Sequence, residues 1–166
     1  MIIRPVKVSD AQALTALFSQ LNDETPFMAM GEQNSAAELC EHLTLFINSA
    51  TQVLYVIEGD CAKLLGFAIG IIGYISGDTT GNSDSVSLVI GIEQASTGMG
   101  LGRQLLLHVE AWSRLHKLKQ LELTVMIDNK NAIAFYKKAG FKLQAVKPLG
   151  MVDALTENEL YMLKAV

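Results

Sequence analysis

Cysteine, proline and tryptophan are scarce in this chain: two, three and one respectively among 166 residues. Cys40 and Cys61 form no Cys-x-x-Cys pair and have no histidine at ligand spacing, so no disulfide framework and no metal site are expected. Both read as buried free thiols. Positive charge is also short, with 13 Lys and Arg against 17 Asp and Glu for a net −4. That balance argues against a nucleic-acid partner, which would need a basic footprint to displace phosphate counterions. The longest nearly uninterrupted apolar run, Leu64 to Ile75, falls short of the roughly 20 residues a membrane-spanning helix requires. No membrane partner is expected. The first ten residues lack a basic segment, an apolar core and a small-residue cleavage site, so they do not read as a signal peptide, and the expected location is cytoplasmic.

What is present is apolar substance. With 50% hydrophobic and 18% charged residues, the chain has enough core-forming side chains for a single domain over 1–166 that needs no staples. Charge is unevenly spread: residues 1–97 hold three basic against eleven acidic side chains, and residues 98–166 hold ten against six. Such asymmetry suits ligands of opposite sign, or simply two solvated faces.

Apolar periodicity orders the chain. Ile2, Ile3, Val6 and Val8 predict a strand, and Ser9 or Asp10 then stands as N-cap to a helix with Ala13, Leu14, Leu17, Phe18 and Leu21 inward. Residues 22–34 read as a loop, after which Ser35 caps a helix burying Leu39, Leu43, Phe46 and Ile47. Val53–Ile57 and Leu64–Ile75 read as a hairpin, with Gly70 and Gly73 as candidate bulges, and Ser85–Ile92 as a further strand. A helix with the stripe Leu101, Leu105, Leu106, Val109, Trp112 and Leu115 follows, then a strand over Leu121–Ile127 and a helix from Asn129 to Ala139 closed by Gly140. Phe141–Val146 and Leu160–Leu163 complete an α/β pattern with no internal repeat.

Between the strand ending at Ile92 and its following helix lies a glycine cluster, Thr97-Gly98-Met99-Gly100-Leu101-Gly102-Arg103. Closely spaced glycines let a backbone approach a ligand, and the free amides and dipole of a helix N-terminus bind phosphate oxygens. No Gly-Lys-Ser/Thr ends the cluster, and Arg103 stands at the last position of a Gly-x-Gly-x-x-Gly pattern, so neither a Walker loop nor a nicotinamide dinucleotide fingerprint is present. On spacing alone the cluster serves either a phosphate or an unliganded strand-to-helix turn.

About thirty residues on comes Asn129-x-x-Ala132-x-x-x-Tyr136 followed by Gly140-Phe141. The two segments together resemble the GNAT superfamily of acetyl-coenzyme A dependent N-acyltransferases, whose motifs are Arg/Gln-x-x-Gly-x-Gly/Ala and Asn-x-x-Ala-x-x-x-Tyr before Gly-Phe. The resemblance implies a mixed, splayed sheet of six or seven strands flanked by about four helices, acetyl-CoA as cosubstrate, a small-molecule or peptide amine as partner, and a homodimer. It implies that the amides of Met99, Gly100, Leu101, Gly102 and Arg103 hold pyrophosphate beside Thr97 and Gly98, and that Ile90 and Ile92 pair with the pantetheine arm as an added strand would. It further implies that Asn129 contacts the cofactor and that Tyr136 is the acid protonating the departing thiolate. Thr97 departs from the family's Arg or Gln. Without the motif, Tyr136 would read as core packing.

Amine acetylation also needs a proton acceptor, and the candidates are Asp84, Glu93, Glu122 or an ordered water. His42, His108 and His116 fall on predicted helices and read as surface or structural side chains. For the acceptor, the loop after the first helix offers Asp23, Glu24 and Glu32 to attract a cation, and Phe27, Met28 and Met30 for apolar contact, or is an ordinary acidic loop. The leading expectation is acetyl transfer to a primary amine by direct attack in a ternary complex. The alternative is an acyl-CoA binding module without turnover, and a longer acyl donor is a third reading.

Overall fold

The computed structural model describes residues 1–28, 35–75, 83–144 and 158–166. Along them run β1 (Ile2–Pro5), α1 (Ala11–Glu24), α2 (Ala36–Ile47), β2 (Gln52–Glu58), β3 (Leu64–Ile72), β4 (Ser85–Ile92), α3 (Leu101–Leu115), β5 (Gln120–Met126), α4 (Lys130–Lys138), β6 (Lys142–Leu143) and β7 (Glu159–Ala165). The sheet order is β1-β2-β3-β4-β5-β7-β6. The ladders β1–β2, β5–β7 and β6–β7 are antiparallel. The β4–β5 ladder is parallel, with Ser85 opposite Gln120 and Ser87 opposite Glu122. A parallel pair needs a long crossover, which α3 supplies. This is the mixed α/β sheet with four helices that the motifs led us to expect. Among the described residues no helix is long and apolar enough to cross a membrane.

Contacts gather the chain into two compact units, Met1–Ile69 with Ile90–Val109, and Gly70–Val89 with Glu110–Val166. In the first, the periodic positions of α1 place Leu14, Leu17 and Leu21 in a core with Val6, Leu43, Leu54, Val56, Leu64 and Phe67. Each such leucine contributes roughly 1.5–3 kcal/mol by leaving water. Ser35 caps α2 as the sequence suggests, accepting from the Glu38 amide while Glu38 Oε2 accepts from the Ser35 amide. Asp10 does precede α1, but its carboxylate makes no cap bond there. It accepts from Arg4 Nη1 and Nη2, both at 2.8 Å, and from the Lys7 amide. A guanidinium offers a stronger, charge-assisted pair than a neutral cap amide.

In the second unit β5 buries Leu121, Leu123 and Val125, with Tyr161 and Met162 of β7 also buried. The buried Glu110 of α3 accepts from Lys164 and Arg114. Gly140 follows the C-cap of α4 with φ +99°, a conformation in which a side chain is strained.

Several expectations need correction. Ile47 and Leu115, assigned inward, are 44% and 81% exposed, because each is the last residue of its helix, where the stripe runs past the core. Both cysteines are free thiols, but Cys61 is exposed and Cys40 is half-buried against the first unit's core. β3 stops at Ile72 where Gly73 turns at φ +68°. The predicted strand from Phe141 shrinks to Lys142–Leu143, and Val146 lies outside the described residues. The loop read over 22–34 begins later than expected, because α1 extends to Glu24.

Candidate active site

In the first unit, β4 ends at Ile92 and the chain enters a 3-10 turn, Gln94–Ser96, before the glycine cluster. Thr97 closes that turn: its hydroxyl donates to Gln94 O at 2.8 Å. The side chain that replaces the family's long donor is therefore committed to the turn. Gly98 and Gly100 both adopt left-handed φ, +76° and +77°, and an added Cβ at either would find nothing within 4 Å. Met99 between them is 55% exposed. The first closed turn of α3 runs from the Gln104 amide to Gly100 O at 3.2 Å. The amides of Leu101, Gly102 and Arg103 precede it and have no acceptor within the helix. Exposed glycines of alternating conformation running into free amides form a concavity suited to an anion. Arg103 is exposed on the same first turn.

Upstream on β4, Ile90 and Ile92 are half-buried. Between them Gly91 leaves room for three neighbours: a Cβ there would stand 2.6 Å from Phe67 Cε1, 2.8 Å from Met28 Cε and 3.0 Å from Leu21 Cδ1. The candidate acceptor residue Met28 thus rests on the strand that carries the candidate pantetheine residues. Phe27 is exposed. Glu24 does not stand free: its Oε1 accepts from Gln20 and its Oε2 from the Gln94 amide, both at 2.7 Å. Glu32 lies outside the described residues.

Glu93 follows β4 directly and is 3% exposed. It accepts from Lys63 Nζ at 2.5 Å, Ser96 Oγ at 2.8 Å and Gln20 Nε2 at 3.2 Å. Burial alone would raise its pKa, but these hydrogen bonds, with the Lys63 charge, hold the carboxyl below its ordinary range.

In the second unit Asn129 is the N-cap of α4, its Oδ1 accepting from the Ala132 amide at 3.2 Å. Tyr136 is buried, with ring centroids 5.1 Å from Phe135 and 5.4 Å from Phe141, both edge-on. Burial pushes its phenol well above the ordinary value, so the hydroxyl keeps its proton through the physiological range. Glu122 of β5, 1% exposed, accepts from Tyr161 Oη at 2.7 Å and Ser87 Oγ at 3.1 Å. Asp84, by contrast, is exposed and paired with Lys119 at 2.5 Å. His108 and His116 each bond the carbonyl one helical turn back, at 2.9 Å, as structural side chains do.

Sequence reasoning singled out the glycines, Asn129 and Tyr136 but missed two features. Gly91 as a seat for Met28 joins residues far apart in the chain, and the donors around Glu93 come from positions 30 and 73 residues away as well as from Ser96. Neither leaves a local spacing to read.

The profile of the Acetyltransferase (GNAT) family matches residues 15–141. An uncharacterized protein of Bacillus subtilis, YdhI, is 34% identical over 90 residues, 53% of this chain and 56% of that protein. The match therefore spans about half the length of that curated relative. Among solved structures, an acetyltransferase of the GNAT family from Streptococcus pneumoniae superposes with a TM-score of 0.82 at 22% identity, covering 99% of each chain. A ribosomal-protein-alanine N-acetyltransferase from Brucella melitensis gives 0.78 at 20% identity, covering 100% of each. The acetyl-CoA complex of yncA, a putative acetyltransferase from Salmonella typhimurium, gives 0.78 at 19% identity, covering 99% of this chain and 93% of that one. At these identities the likeness is one of fold.

Proposed function

The chain belongs to the Acetyltransferase (GNAT) family, and from that premise we propose that it moves the acetyl group of acetyl-CoA onto a primary amine of a small molecule or peptide. The observation that carries this reading is the glycine loop. Two left-handed glycines with open space about them lead into the free amides of a 15-residue helix, an arrangement that fits a pyrophosphate. Acetyl-CoA is bound by the structure of yncA, which shares the fold.

When bound, acetyl-CoA supplies an acyl carbon activated as a thioester and a thiolate leaving group. The amides of Met99 to Arg103 hold the pyrophosphate, and the main chain at Ile90 and Ile92 pairs with the pantetheine arm. Asn129, with its oxygen committed to the helix cap, offers the cofactor its amide nitrogen. In the transfer the amine nitrogen bonds to the acetyl carbon while the carbon–sulfur bond breaks. Tyr136 donates to the sulfur that takes the electron pair. A phenol raised above its ordinary value faces a thiol whose own pKa is about 8.5, so Tyr136 gives a hydrogen bond more readily than its proton. The amine's proton goes to Glu122, directly or through a water. Of the three carboxylate candidates, Asp84 and Glu93 are each paired with a lysine, whereas the donors on Glu122 are neutral hydroxyls. The acceptor's apolar part lies against Met28 and Phe27, with Asp23 attracting its charge, and the active species is a homodimer.

The test begins with the thermal midpoint of the purified protein, with and without millimolar acetyl-CoA, because a ligand of the native state alone raises it by mass action. A rise is expected, and it should be absent in Gly100→Asp, which sets bulk and negative charge against the pyrophosphate. Release of free CoA thiol on addition of a panel of amines then establishes transfer. A second reading, an acyl-CoA binding module without turnover, is favoured by the engaged Thr97 hydroxyl, and stabilisation without thiol release from any amine would select it.

A further inference from the structure

Glu93 is a buried carboxylate that the transfer reaction leaves without a role. Its side-chain partners among the described residues lie in one unit and join three stretches of chain: α1 through Gln20, the residue before β3 through Lys63, and the 3-10 turn through Ser96. The backbone of the same turn is held as well, with the Ser96 amide on Glu93 O at 3.0 Å and the Thr97 amide on Gln94 O at 3.2 Å. A second acid, Glu24, fastens the Gln94 amide from α1 and shares Gln20 with Glu93. The glycine loop begins one residue after Thr97, where this web of bonds ends.

We infer that Glu93 is a positioning residue for the cofactor: by gripping the turn Gln94–Ser96 it fixes the point from which the glycine loop springs and pre-orders that loop for pyrophosphate. The physical need is entropic. Fixing the backbone of a residue costs about 1–2 kcal/mol, and glycine loses more freedom than any other residue. A loop with Gly98 and Gly100 pays that cost on binding unless its base is already fixed. A buried carboxylate holding three donors, one of them cationic, supplies a rigid base. The Lys63 charge argues against a basic role, since a carboxylate paired with a cation gives up that pair when it takes a proton. The carboxyl held below its ordinary range agrees. The inference rests on the glycine loop being the pyrophosphate cradle.

The experiment compares binding of CoA with binding of pantetheine, which lacks the pyrophosphate, in the wild-type protein and in Glu93→Gln, Ser96→Ala and Gly100→Asp, alongside the kcat and KM of transfer. Loss of one charge-assisted hydrogen bond should raise the Kd of CoA about tenfold in Glu93→Gln. Pantetheine affinity and kcat at saturating acetyl-CoA should stay within about twofold, because the loss is confined to the loop. Ser96→Ala keeps the carboxylate and Lys63 and should shift CoA affinity the same way by about threefold, less than the charged bond. If Glu93→Gln does not fold, this variant carries the test. An unchanged CoA affinity overturns the inference, as does an equal loss for pantetheine, which would mean general loosening of β4. A fall in kcat with CoA affinity intact would make Glu93 the base instead. Normal CoA affinity in Gly100→Asp refutes the cradle itself, whatever Glu93→Gln does, so the two failures are distinct.

Discussion

The protein buries two carboxylates beside its central strand β4, and they are held in opposite ways. Glu93, in the first unit, is 3% exposed and has a lysine at 2.5 Å. Glu122, in the second, is 1% exposed and is met by two hydroxyls, Tyr161 at 2.7 Å and Ser87 at 3.1 Å, with no cation paired to it among the described residues. Removing an ionised carboxylate from water costs several kcal/mol unless donors replace the lost hydration. Both sites provide donors, but a lysine brings a compensating charge and a hydroxyl does not. Around Glu122 the neighbour adjusts: burial, together with the hydrogen bond and charge of Glu122, pushes the Tyr161 phenol up, so it remains a donor. The lesson is that burial alone does not mark a catalytic carboxylate. A charge pinned by a cation and two further donors anchors chain, whereas a charge met by neutral hydroxyls has no ion pair to break.

The contrast breaks most visibly in turnover. Glu122→Gln keeps the shape of the side chain and removes the acceptor, so kcat should fall about 10²–10⁴-fold while CoA affinity holds. Steady-state kinetics at saturating acetyl-CoA would read this, and an unchanged kcat would pass the proton to water or another group. Tyr136→Phe should cost next most, about ten- to a hundredfold in kcat, the worth of a hydrogen bond to a charged sulfur, with KM for acetyl-CoA unmoved. Equal loss of binding and turnover would return Tyr136 to a packing role between Phe135 and Phe141. Smaller still is Tyr161→Phe, which removes one of the donors on Glu122 and should lower unfolding free energy by about 1–3 kcal/mol in chemical denaturation.

How much of this was written in the chain depends on the range of the interaction. Ser85–Ile92 reads as a strand over its full observed length, since its apolar run and flanking turns are local, and the Ser35 and Asn129 caps sit next to the residues they serve. The glycine cluster is legible for the same reason, as φ preference belongs to single residues. Periodicity failed at Ile47 and Leu115 because a helix stripe carries no mark of where the core ends. Asp10 stands at the N-cap as its position suggests, but Arg4, six residues back, takes its carboxylate from the helix amides. Glu93 and Glu122 looked equivalent as bases, since what separates them is Lys63 at 30 residues on one side and Ser87 and Tyr161 at 35 and 39 on the other. Pairings at that distance follow from sheet order and leave no spacing to count.

The smallest effect sharpens the contrast without touching catalysis. A carboxyl whose folded-state pKa lies below its unfolded value binds fewer protons when folded, so it contributes stability above the unfolded value and loses it as pH falls through the folded one. For Glu93 the loss begins below about 4.5, its ordinary value, and for Asp10, held down by Arg4, below about 3.8. The thermal midpoint of the wild-type protein should therefore decline as pH drops from 6 to 3. Glu93→Gln should have a lower midpoint at pH 6, close the gap to wild type as the pH falls, and retain only the later decline due to Asp10. Lys63→Met should do the same in part, because the side chain of Lys63 is itself 55% exposed and solvent screens some of its charge. If instead Glu122→Gln flattens the acid limb and Glu93→Gln leaves it intact, the assignment is reversed: the anchoring charge is then in the second unit, and Glu93 becomes the group free to exchange a proton.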